Sequence, residues 1–163
     1  MKIKLILLLM LLALPGFAIP QKTNYKGYKH KGVVYGETLS NGVKDHGGGL
    51  LSNESYGVSR FSKGKKDMLW LEKITDRDEK GVPSWQVKDV LTFDTLKKNQ
   101  EFLFSYSSSC LQNGKQTLDI VVMAELSADK KSYKVLKAWN ANTKKEKFKK
   151  ISTDNIKCEV KKV

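Results

Sequence analysis

The sequence predicts an all-β protein, an antiparallel meander forming a sandwich or partly open barrel, with α+β as the alternative. Three observations carry this. Many short segments alternate apolar and polar residues with a period of two, which puts successive side chains on opposite faces of a strand. Turn-forming clusters separate these segments at regular spacing. No long helical period competes with them. The clearest segment is 155–161, where Ile156, Cys158 and Val160 are apolar and Lys157, Glu159 and Lys161 are charged.

From 19 to 53 the chain is rich in lysine, tyrosine and glycine. Its periodicity is poor, and the run Asp45-His46-Gly47-Gly48-Gly49 follows Asn41-Gly42. Backbone entropy at so many glycines opposes regular structure, so this stretch reads as a mobile basic arm with one strand. Strands are expected at Tyr56 to Phe61 and Asp67 to Ile74. In the second, Met68, Trp70 and Ile74 share one face and Leu69 and Leu71 the other, the pattern of a central strand. The turn from Asp76 to Gly81 then makes a hairpin with a strand whose Trp85, Val87, Leu91 and Phe93 are expected on one face, interrupted by Asp89.

Phe102, Phe104 and Tyr106 alternate with Glu101, Leu103 and Ser105. Asn113-Gly114 is the strongest turn dipeptide in the chain. Leu118, Ile120, Val122, Ala124 and Leu126 keep the period, and Tyr133, Val135, Trp139 and Ala141 keep it with Lys137 as the exception. Short turns at Asp129 to Lys131, Asn142 to Lys145 and Ser152 to Asp154 would hold the last strands as antiparallel neighbours.

The first 18 residues read as a secretory signal peptide. Lys2 and Lys4 form a positive start, Leu5 to Leu14 an apolar run too short to span a bilayer, and Gly16 and Ala18 a small-residue cleavage site. The rest, 19–163, is enough for a single β-rich domain. Periplasmic or extracellular export follows, with no transmembrane segment in the mature chain. Cys110 and Cys158 are the only cysteines, and in an oxidising compartment an even count favours one intramolecular disulfide over metal ligation. Two cysteines with distant His30 and His46 lack the paired spacing of structural zinc sites.

Without Lys2 and Lys4 the chain keeps 28 basic residues against 17 acidic ones, about +11. It is a basic protein drawn to anionic surfaces. Only Arg60 and Arg77 are arginines, so the forked donors that read phosphates and base edges are scarce, and specific nucleic-acid binding is excluded as a main function. The candidate binding surface is Tyr25, Lys26, Tyr28, Lys29, His30, Lys31 and Tyr35, an aromatic and basic cluster suited to an anionic polymer.

His46-Gly47-Gly48-Gly49 matches the oxyanion loop of lipases and esterases, but Gly57-Val58-Ser59-Arg60-Phe61 lacks the closing glycine of a nucleophile elbow. Asp76, Asp78 and Gly81 resemble the start of a calcium loop, yet Lys80 occupies a ligand position and Val87 the place of the final glutamate. No catalytic residue, metal site or cofactor emerges from these motifs.

The order Leu69-Trp70, Trp85-Gln86-Val87 with Asp89-Val90, Cys110 with Asn113-Gly114, Ala138-Trp139, Phe148, Ile151 and Ile156-Lys157-Cys158 resembles small exported bacterial proteins of unknown function. The resemblance spans about Leu69 to Cys158. It implies export and supports pairing Cys110 with Cys158, and it brings no activity. The expectation is a non-enzymatic binding domain for a partner protein or an anionic envelope component. The alternatives are a small exported hydrolase using His46 and a structural envelope protein.

Overall fold

The computed structural model describes residues 24–32, 35–104 and 109–160. The expected signal peptide, Tyr106 and the apolar pair Val33 and Val34 lie outside them. Among the described residues there is no helix, and the twelve strands are antiparallel throughout, as the alternation predicts.

A five-stranded sheet has the order β1 (Lys29–Lys31), β5 (Pro83–Asp94), β4 (Lys66–Arg77), β3 (Tyr56–Lys63) and β2 (Lys44–Leu50). It curls into a half-barrel. A four-stranded sheet follows as β11 (Lys147–Ile151), β10 (Tyr133–Asn142), β9 (Ile120–Leu126) and β6 (Gln100–Phe104). The smallest sheet is β12 (Ile156–Glu159), β7 (Ser109–Gln112) and β8 (Lys115–Gln116).

Period-two patterning on these sheets produces three apolar layers. Leu69 and Leu71 of β4 meet Val121, Met123 and Trp139 of the four-stranded sheet in the middle layer. Behind that sheet, Ile120, Val122 and Ala138 pack on the disulfide sheet through Cys110, Ile156 and Cys158. On the outer face of the five-stranded sheet, Phe61, Met68, Trp70 and Val87 are covered by Tyr25, Leu39 and Val43. Strand β4 is therefore buried on both faces, as its two apolar sets predict.

Four expectations are corrected. The stretch expected to be an arm with one strand supplies two: β1 pairs with β5 and β2 with β3. The glycines of β2 are used for close approach. A Cβ on Gly48 would lie 2.4 Å from the Val58 carbonyl oxygen, where a bulge brings the backbones together.

Trp85 and Val87 do not share a face with Leu91 and Phe93. The register skips Lys88, with Val87 opposite Glu72 and Asp89 opposite Leu71. This bulge turns Val87 to the outer layer and Leu91 and Phe93 to the middle one. A second bulge between Val135 and Lys137 does the same in β10, so Tyr133 and Val135 face the disulfide layer and Trp139 and Ala141 the middle layer. Each interruption noted in the sequence, Asp89 and Lys137, lies beside a bulge.

Finally, the meander breaks at its end. Strand β12 leaves β11 and pairs with β7, setting Cys158 directly opposite Cys110 in a disulfide. Strand β11 is left as an edge carrying exposed Lys147, Lys149 and Lys150, a charge pattern that blunts unwanted edge pairing. The β7–β8 turn at Asn113 and Gly114 has both residues at positive φ, as the dipeptide predicts.

Candidate functional site

Because the five-stranded sheet curls, its two edge strands border the same hollow. A cleft of about 540 Å³ opens there, lined by His30 of β1 and Gly32 just after it and by Asp45 and Gly47 to Leu50 on β2. Its remaining walls are Ser59 and Phe61 of β3, Glu72 of β4, Trp85 and Pro83 of β5, Val82, and Tyr35. The floor depends on a missing side chain. A Cβ on Gly57 would stand 3.1 Å from the Trp85 ring, so glycine there lets the indole lie across β3.

Glu72 continues the outward face of β4 set by Met68 and Trp70, and this places a carboxylate in an apolar layer, only 1 % exposed. Burial raises its pKa by penalising the charged form. Its partner comes from the far edge of the sheet: His30 Nε2 lies 2.6 Å from Glu72 Oε1, and the Ser59 hydroxyl donates to the same carboxyl group. The other imidazole nitrogen, Nδ1, is 2.8 Å from the Lys31 carbonyl oxygen. A carbonyl can only accept, so Nδ1 carries a proton. One further proton must lie between Nε2 and Oε1, so the pair holds one proton more than a neutral imidazole and a free carboxylate would. Burial opposes the imidazolium, but the Glu72 hydrogen bond and charge outweigh it and raise His30 above the usual histidine value.

Asp45 sits beside this pair, 7 % exposed. Its Oδ1 accepts the Gly47 N–H, and burial lifts its pKa despite that bond and the nearby His30. Among the described residues no donor or cation reaches its second oxygen. The aromatic rings of Phe61 and Trp70 support the imidazole edge-on at 5.9 and 6.0 Å.

The seven residues of the candidate binding surface divide. Tyr25 is buried and its ring lies 4.9 Å from that of Trp70; Tyr28 is half-buried; His30 turns inward to Glu72. Lys26, Lys29 and Lys31 are exposed, and Tyr35 is 75 % exposed at the cleft mouth. Of the seven, the cleft brings together His30 and Tyr35.

His46 is directed away from the cleft that its glycines line. Its Nε2 lies 2.7 Å from the Ser62 hydroxyl, beside Arg60, and burial followed by the Arg60 charge lowers its pKa. Arg60 itself is committed to Asp67 through two N–H donors. The Asp76–Gly81 region is a hairpin turn in which the Asp78 carboxylate accepts the Lys80 and Val82 N–H groups. Among the described residues no group of three or more His, Cys, Asp or Glu side chains is arranged to hold a metal, and no helix is long and apolar enough to cross a membrane.

Comparison of the chain with protein-family models, curated proteins and solved structures finds no match. The site is therefore defined by its own chemistry. Reading the sequence missed Glu72, Asp45, Ser59 and Trp85. For Glu72 a signal existed, since it occupies an apolar register between Trp70 and Ile74.

Proposed function

We propose that this protein is an exported, non-enzymatic binding domain whose recognition site is the cleft of the curled sheet. The single observation that carries the reading is a half-open hollow, walled by Tyr35, Phe61 and Trp85 around a few fixed polar groups, the usual composition of a recognition pocket. The disulfide fits the oxidising compartment that the signal peptide implies. The exposed lysines of β11 supply a separate, salt-sensitive attraction to an anionic envelope component, which concentrates the protein where its partner resides.

A partner captured at low salt and retained at high salt, and lost when Leu50 at the cleft mouth becomes Lys, supports this assignment. Capture that vanishes with salt and ignores Leu50→Lys would move recognition onto the lysine surface. The hydrolase alternative is favoured by one observation, the 2.7 Å approach of His46 Nε2 to Ser62 Oγ. Ester hydrolysis abolished by Ser62→Ala would establish it, whereas unchanged or absent hydrolysis would remove it.

A further inference from the structure

We propose that the cleft takes an organic cation, an alkylammonium or guanidinium head group, with the Asp45 carboxylate as its counter-ion and the Trp85 and Tyr35 rings as its walls. This rests on the reading of the cleft as the recognition site. Two independent observations lead to it. The first is charge placement: a chain with 30 lysines and arginines lines this cleft with none of them among the described residues, and since His30 and Glu72 offset one another, the Asp45 carboxylate is the charge left over. An anionic ligand would meet repulsion there, although the rest of the surface would attract it.

The second is an incomplete pairing. Asp45 is nine-tenths buried, yet it receives only the Gly47 N–H, and its second oxygen has no donor among the described residues. His30 cannot serve it, because Nε2 is engaged by Glu72 and Nδ1 by the Lys31 carbonyl. That oxygen keeps contact with solvent in the cleft, so the carboxylate is only partly desolvated, and a cationic ligand meets there an acceptor that no protein group already occupies. Aromatic faces attract the same kind of group, and most strongly when water is excluded. An apolar stem would lie along Phe61 and Pro83.

The test is titration of the isotope-labelled protein with butylammonium, butylguanidinium, neutral butanol and butyrate, following backbone amide shifts. A blocked tripeptide centred on lysine separates a partner's side chain from a free amine. The cations are expected to shift Gly47 to Leu50 and Trp85 and to bind about tenfold more tightly than butanol, with butyrate weaker still. Asp45→Asn should reduce that preference to about twofold or less, and Tyr35→Ala, at an exposed position that tolerates truncation, should weaken the cations several-fold. Equal binding of butanol and the cations in the cleft would overturn the cation assignment and leave the cleft as the recognition site. Absence of any cleft shift with every probe would overturn both.

Discussion

Two outer strands of this protein are each fastened by one long-range bond, and the two bonds are of opposite kinds. Strand β12 is held to β7 by the Cys110–Cys158 disulfide, surrounded by Leu103, Ile120, Val122 and Ala138. Strand β1, only three residues long, pairs with β5 at the edge of its sheet and is tied to the central strand β4 by His30 and Glu72. The covalent clamp depends on redox conditions and lies in a closed apolar layer. The protonic clamp depends on pH and borders a cleft. A buried ion pair contributes little net stability compared with apolar residues of the same volume. Its placement therefore makes more sense as the scaffold of a site than as a fastening.

The difference can be broken from either side. The largest effect is expected from Cys110→Ala with Cys158→Ala. Cross-linking residues 48 apart removes about 4 kcal/mol of unfolded-chain entropy in the chain model, and urea unfolding should show a loss of that size while the cleft amides keep their shifts. Glu72→Ala should cost about 3 kcal/mol, since it leaves a buried imidazole unpaired, whereas His30→Leu with Glu72→Leu should cost far less. That contrast, measured in the same assay, separates the penalty of a broken pair from the net worth of an intact one. Gly48→Ala should cost about 1–3 kcal/mol by pushing β2 off β3 and against the Ser59 hydroxyl that serves Glu72, while leaving the disulfide clamp untouched.

The pH response is smaller and carries a definite sign. His30, Glu72 and Asp45 all have raised values, so the folded state holds their protons more tightly than the unfolded chain does. The contribution of His30 is fully present below its unfolded value of about 6.5 and is lost as pH rises through its higher folded value. The two carboxyl groups add losses of the same sign, beginning above their ordinary range near pH 4. His46, whose value is lowered, acts oppositely and loses stability as pH falls, so unfolding in the His46→Gln background isolates the clamp. Stability of that variant should decline from pH 5 to pH 8, and the decline should flatten when His30 and Glu72 are both Leu. The smallest effect is expected from Lys149→Ala on the β11 edge, within about 0.5 kcal/mol, and more visible in salt-dependent retention than in unfolding.

The same contrast explains how much could be read in advance. The strands, the hairpin at Asn113-Gly114 and the buried character of β4 follow from local alternation and turn chemistry, which a sequence displays directly. The disulfide needed only a count of two cysteines. Bulges were visible as interruptions, at Asp89 and Lys137, but their consequence was hidden, because one inserted residue moves every later side chain to the other face. The site was nearly invisible for a related reason. His30 and Glu72 are 42 residues apart and meet only because the sheet curls. The glycines at 47–49 suggested a loose arm, when the physical need was close contact between backbones. Only Glu72 gave a local sign, a carboxylate in a register otherwise occupied by Met68, Trp70 and Ile74.

The clamp and the cleft beside it rest on the proton held between His30 and Glu72, and nitrogen-resolved NMR of the His30 imidazole observes it directly. Both ring nitrogens should appear protonated at neutral pH, with the Nε2 proton shifted far downfield and slow to exchange, and the ring should keep that state well above pH 6.5. A His30 ring that titrates near 6.5 with one nitrogen bare above it would contradict the clamp and the geometry of the cleft built on it.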